Sequence, residues 1–139
     1  ALNIKADGLG SLLGDIFKFN KRLSKNSVLF DMSIPETIAI KNSGLPFLVR
    51  QSEYEKINCF QDCADGYWVD NFGANFSQVS IAKDLLRYQK KVVFVSPELH
   101  KRKHQDVWNE IRLEGLHLNS NFYICTDFPA EAFNFFEER

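Results

Sequence analysis

Six short runs rich in β-branched and aromatic residues recur along the chain, at residues 2–5, 28–33, 47–51, 67–70, 92–96 and 122–126. Runs of this composition and length read as strands. Most are near-continuously apolar and do not alternate with polar residues, as expected of strands covered on both faces by helices. Their starts lie roughly 20 to 30 residues apart, close to the length of one βα unit, and right-handed crossovers then make the strands parallel. The predicted class is α/β. Six parallel βα units suit two architectures. They are six of the eight units of a (β/α)8 TIM barrel whose N-terminal two lie upstream, or they form an open doubly wound sheet. Composition does not choose between them.

Helical patterns fill the intervals. Residues 9–23 place Leu9, Leu12, Leu13, Ile16, Phe17 and Phe19 at mostly helical spacing, with Lys18, Lys21 and Arg22 near the end, where the helix dipole favours cations. Ser33 is expected to cap a helix with Pro35 and Glu36 in its first turn, and Gly44 to end it. Ser77 precedes a stripe of Val79, Ile81, Ala82, Leu85, Leu86 and Tyr88. Residues 106–113 carry Val107, Trp108, Ile111 and Leu113, and a last helix follows Pro129. With no Gly-, Pro- or Ser-rich linker, no low-complexity segment and no internal repeat, residues 1–139 read as one α/β domain. The apolar run from Leu2 begins directly behind Ala1, which suggests a strand preceded by an upstream segment. Open strand edges at residues 2–5 and 122–126 predict either a homo-oligomer or such a missing N-terminal segment.

Composition narrows the function classes. A chain of 139 residues with 45% hydrophobic and 25% charged content has the means to bury a core, which excludes disordered, collagenous and disulfide-scaffold classes. Seventeen basic and eighteen acidic side chains give a net charge of -1, so no chain-wide field draws it to nucleic acid or anionic lipid. No apolar run approaches the roughly 18 residues of a membrane span. An odd set of cysteines, Cys59, Cys63 and Cys125, reads as reduced thiols, which predicts a cytoplasmic location. Cys59 and Cys63 have the spacing of half a metal knuckle, but no second Cys or His pair completes it.

Parallel βα folds bind ligands beyond the carboxyl ends of their strands. Those ends supply Lys5 and Asp7; Asp31 and Ser33; Arg50, Gln51, Ser52 and Glu53; Asp70 and Asn71; Ser96, Glu98 and His100; and Thr126 and Asp127. Arg50 closes an apolar run where a guanidinium grips a phosphate or carboxylate in two-pronged fashion; the bland reading is an ion pair with Glu53. Lys5 has a matching placement, with a salt bridge to Asp31 as its bland reading. Asp70 suits a general base, a metal ligand or the partner of a cation. Glu98 and His100 are the best acid/base pair, because alternate residues of an extended stretch face the same way. His104 is expected to face solvent, and His117 to be a packing or surface residue. Asp31-Met32-Ser33 lacks the second Asp of an aspartyl phosphatase nucleophile motif, and no Walker loop, dinucleotide fingerprint or Gly-x-Ser-x-Gly elbow occurs.

Five segments taken in order, Leu2-Asn3-Ile4-Lys5, Phe30-Asp31-Met32-Ser33-Ile34-Pro35-Glu36, Arg50-Gln51-Ser52-Glu53-Tyr54-Glu55, Ser96-Pro97-Glu98-Leu99-His100 and Cys125-Thr126-Asp127-Phe128-Pro129, resemble the carboxyl-terminal part of glycerophosphodiester phosphodiesterase-like proteins. The resemblance covers nearly the whole chain. It implies a (β/α)8 barrel, a divalent cation (Mg or Ca) and hydrolysis of a small phosphorylated or glycerophosphodiester-type substrate. The family's two acid/base histidines and two acidic metal ligands belong to its first strands, and this chain does not contain them. Asn3 stands where members usually carry a Glu two residues before the Lys matched by Lys5. The expected substrate contacts are Lys5, Asp31, Arg50, Glu53, Asp70 and Asp127, with Glu98 and His100 for proton transfer. The alternative is a catalytically inactive member of the same fold that binds an anion or a partner protein.

Overall fold

A computed structural model describes residues 1–56, 58–73 and 76–137. In chain order the elements are β1 (Leu2–Asn3), α1 (Gly10–Phe19), α2 (Lys21–Asn26), β2 (Leu29–Phe30), α3 (Ile34–Asn42), β3 (Leu48–Gln51), β4 (Gly66–Val69), α4 (Gln78–Leu86), β5 (Lys91–Val95), α5 (Gln105–Leu113), β6 (Phe122–Cys125) and α6 (Pro129–Glu137), with 3-10 turns at Pro97–His100 and Leu116–Leu118. Each expected strand has its counterpart. The strands are parallel and form two sheets, β1-β2 and β3-β4-β5-β6, so the chain is α/β. Two compact units divide it: Ala1–Arg50 with Asn58–Gly66, and Gln51–Ile57 with Tyr67–Arg139.

In the first unit β1 pairs with β2 in the register Leu2 to Leu29 and Asn3 to Phe30, and Leu29 forms a parallel bridge to Phe47. Leu29, Ile40, Phe47 and Leu48 are almost wholly buried and make the core. The stretch expected as one helix over residues 9–23 is two. Asn20 leaves the helical region, and its side-chain carbonyl accepts the Leu23 N–H at 3.0 Å, starting α2 afresh. A short amide side chain competing for backbone donors is the physical reason. Ser33 caps α3 as expected, its hydroxyl accepting the Glu36 N–H at 3.2 Å, and Gly44 ends it at φ +66°. Gly10 lets α1 approach α3 closely, because a Cβ there would lie 3.3 Å from Ala39.

In the second unit β5 pairs with β6 from Val92 opposite Phe122 to Val95 opposite Cys125. Residues Gly66–Val69 of β4 are all buried, as are Val92, Val93, Phe94 and Val95 of β5, so both faces of these strands are covered. Trp108 and Ile111 of α5 pack into this core. Gln78, at the first turn of α4, donates its amide to the carbonyls of Val69 at 3.0 Å and Val95 at 2.8 Å. Among the described residues no helix is long and apolar enough to cross a membrane.

Candidate functional site

Polar side chains gather after the strand ends in three places. In the first unit, Asp31 follows β2 and takes a left-handed backbone, φ 68°, which Asp tolerates better than most non-glycine residues. Its carboxylate meets both expected cations, Lys5 at one oxygen and Arg50 at the other. Lys5 and Arg50 therefore converge on one carboxylate from the ends of β1 and β3. Two cations around one anion give this trio a formal charge of +1. Exposure differs: the Lys5 side chain is 69% exposed and that of Arg50 27%, while Asp31 retains 18%. The loop behind Lys5 is fastened to α3. Buried Glu36 accepts the N–H groups of Gly8 at 2.6 Å and Leu9 at 3.0 Å, and the Ser33 hydroxyl donates to Asp7 at 2.6 Å.

In the second unit, Asp70 follows β4 and lies 2.7 Å from His100 Nε2. The same Asp70 oxygen accepts the Asn71 N–H at 2.8 Å. Glu53 accepts the N–H groups of Phe72 at 2.9 Å and Gly73 at 3.1 Å, while the Arg102 guanidinium donates to the Asn71 carbonyl. The loop after β4 is thereby held on both sides, and the Phe72 ring sits 5.0 Å from the His100 ring.

Glu98 belongs to the third cluster, also in the second unit. Because residues 97–100 form a 3-10 turn and not an extended stretch, Glu98 and His100 do not share a direction as alternate strand residues would. Pro97 at the turn's start and Lys101 in the left-handed region at its end account for the tight winding. The Glu98 carboxylate accepts from the hydroxyls of Ser96 and Thr126 and from the Asp127 N–H at 3.2 Å. Ser96 in turn accepts the Trp108 indole N–H at 2.8 Å. Burial pushes the Glu98 carboxyl up, but the donors from Ser96, Thr126, its own backbone and Asp127 outweigh it and hold the group below its ordinary value. A carboxylate so held is a poor proton donor and a good structural acceptor. Asp127 contributes its backbone here while the residue itself is exposed.

His104, expected in solvent, is 5% exposed. Its ring lies 4.1 Å from Trp108 and 5.3 Å from Phe128, and Nε2 is 3.2 Å from Glu131. The spacing of four to Trp108 on a helical stretch is the sequence signal for this contact. His117 packs as expected, stacked 5.6 Å from Phe136. All three cysteines are free thiols; Cys59 and Cys63 are exposed, and burial, then the Asp127 charge, pushes the half-buried Cys125 thiol up.

Among the described residues no three His, Cys, Asp or Glu side chains gather as a group able to hold a metal ion. With Asp31 engaged by two cations, this donor set does not by itself fit a divalent cation. Comparison with protein-family models, curated proteins and solved structures finds no match to this chain.

Proposed function

We propose that the chain is a phosphodiesterase-like protein that binds the phosphoryl group of a small phosphorylated or glycerophosphodiester-type ligand through Lys5 and Arg50. The observation that carries this reading is their meeting on Asp31 beyond the ends of β1, β2 and β3. A carboxylate between two cations spaces and orients them, while the exposed Lys5 ammonium and the planar Arg50 fork keep the donor chemistry that phosphoryl oxygens require. The scaffold reading is six units of a (β/α)8 barrel. It is supported by strand pairings that follow chain order within each unit, since a doubly wound sheet reverses its order at a switch point.

The test is calorimetric titration with inorganic phosphate and with glycerophosphocholine, followed by assay for release of the alcohol with and without added Mg2+ or Ca2+. Binding of either ligand is expected, with Lys5→Ala and Arg50→Ala each weakening it about tenfold, the worth of one charge-assisted hydrogen bond of about 1.5 kcal/mol. A wild-type chain that binds neither refutes the reading. Binding without hydrolysis under either cation identifies the non-catalytic alternative, which Asn3 and the committed Glu98 carboxylate favour.

A further inference from the structure

We infer that Asp31 is a specificity-determining residue that selects by charge, admitting a singly charged anion to Lys5 and Arg50 and turning away a doubly charged one. This rests on the phosphoryl-binding reading above and deepens it. All three residues belong to the first unit, so the seat draws on no group of the second. The carboxylate gives one oxygen to each cation and still keeps 18% side-chain exposure, so it stands between them at the surface. A phosphoryl group that reaches both cations lies against it. An ammonium carries three donors and the contact with Asp31 uses one, which leaves the 69% exposed Lys5 donors for a ligand. The carboxylate is also anchored from both sides. The Phe30 carbonyl before it accepts the Ile4 N–H at 3.0 Å, and Ser33 behind it caps α3.

The charge balance gives the direction of the choice. Attraction to the cations grows in proportion to the ligand's charge, whereas the hydration it surrenders on entering the site grows with the square of that charge. Two cations and one carboxylate leave a formal +1, enough to match one negative charge and too little for two. Asp7, held at 2.6 Å by the Ser33 hydroxyl, is a further carboxylate at these strand ends and acts in the same direction. Asn at position 31 would raise the trio to +2 and suit a dianion. One unit of ligand charge facing one carboxylate across a partly exposed site is worth about tenfold in affinity.

Calorimetric titration of the full chain at pH 8 compares glycerol 3-phosphate with glycerophosphoglycerol. Both carry a glycerol arm, but the monoester is a dianion there and the diester a monoanion, because a phosphate monoester loses its second proton near about pH 6. Wild type is expected to bind the diester several-fold more tightly. Asp31→Asn keeps the side-chain shape and tolerates the left-handed backbone. It should lower the ratio of diester to monoester affinity about tenfold, by gaining affinity for the monoester. A ratio unchanged in Asp31→Asn, or a wild type that prefers the monoester at pH 8, would overturn the inference. So would an equal loss for both esters, since Asp31 would then only space the cations. Wild type gives a second readout that needs no substitution: at pH 5.5 the monoester is mostly a monoanion, and the preference should close. A preference as large at pH 5.5 as at pH 8 overturns the inference even if Asp31→Asn does not fold. Binding of neither ester removes the phosphoryl-binding reading and this inference with it, whereas binding without discrimination at pH 8 removes the inference alone.

Discussion

Ser96→Ala removes one hydroxyl and leaves two groups in need. Ser96 is fully buried, and its oxygen accepts from the indole of Trp108, itself 1% exposed, while donating to Glu98, whose side chain is 8% exposed. An orphaned buried indole N–H costs about 1 to 2 kcal/mol, and a lost hydrogen bond to a carboxylate about 1.5 to 3 kcal/mol. Allowing for partial relaxation, the expected loss is about 2 to 4 kcal/mol, or a fall in Tm of roughly 6 to 12 °C for a chain of this length. Urea unfolding followed by far-ultraviolet circular dichroism measures it, with Ser80→Ala, at an exposed position on α4, as a control expected within about 0.5 kcal/mol of wild type. Since both residues belong to one network, Glu98→Gln should cost less in the Ser96→Ala background than in the wild type. A loss below about 0.5 kcal/mol, or additive costs in the double variant, would refute the view that this serine joins the tryptophan to the carboxylate.

Glu98 also sets a pH dependence. Its folded-state value lies below the ordinary one, so its contribution is present above the unfolded value and is lost as pH falls through the depressed folded value. The stability gap between wild type and Glu98→Gln should therefore be constant near neutrality and close below the ordinary glutamate range; urea midpoints from pH 7 to pH 3 check this, and a gap independent of pH contradicts it. Iodoacetamide labelling followed by mass spectrometry should find Cys125 the slowest of the three thiols, because burial both shields it and disfavours its thiolate, whereas Cys59 and Cys63 are exposed. Labelling of Cys125 first would contradict that assignment.

The strands were legible because their apolar runs report burial on both faces, and burial is a property of composition over a few residues. Helix starts were legible at Ser33, where the capping hydroxyl is local chemistry. Asn20 shows the limit: a periodic apolar stripe ran through it, and only the backbone angles reveal that its amide begins a second helix. The same distinction governs the functional residues. Lys5, Asp31 and Arg50 were legible as strand-end residues, yet their meeting depends on the spacing of three strands. Glu98 and His100 do not face the same way, because Pro97 begins a tight turn where the apolar run predicts an extended stretch. The partners they find, Ser96 and Thr126 for one and Asp70 for the other, lie on separate strand ends. His104 was hidden for a related reason: its polarity suggested solvent, while Trp108, Phe128 and Glu131 enclose it only in three dimensions.

The amide of Gln78 has a consequence beyond the first turn of α4. By grasping Val69 and Val95 together it acts as a gauge block between two neighbouring rows of the sheet. A one-residue slip of either row would take a carbonyl out of its reach and turn buried side chains toward the opposite face. The next residue on each row is Asp70 or Ser96, the first members of the imidazole and indole networks. One uncharged side chain, remote from any chemistry, thus keeps two polar constellations in step.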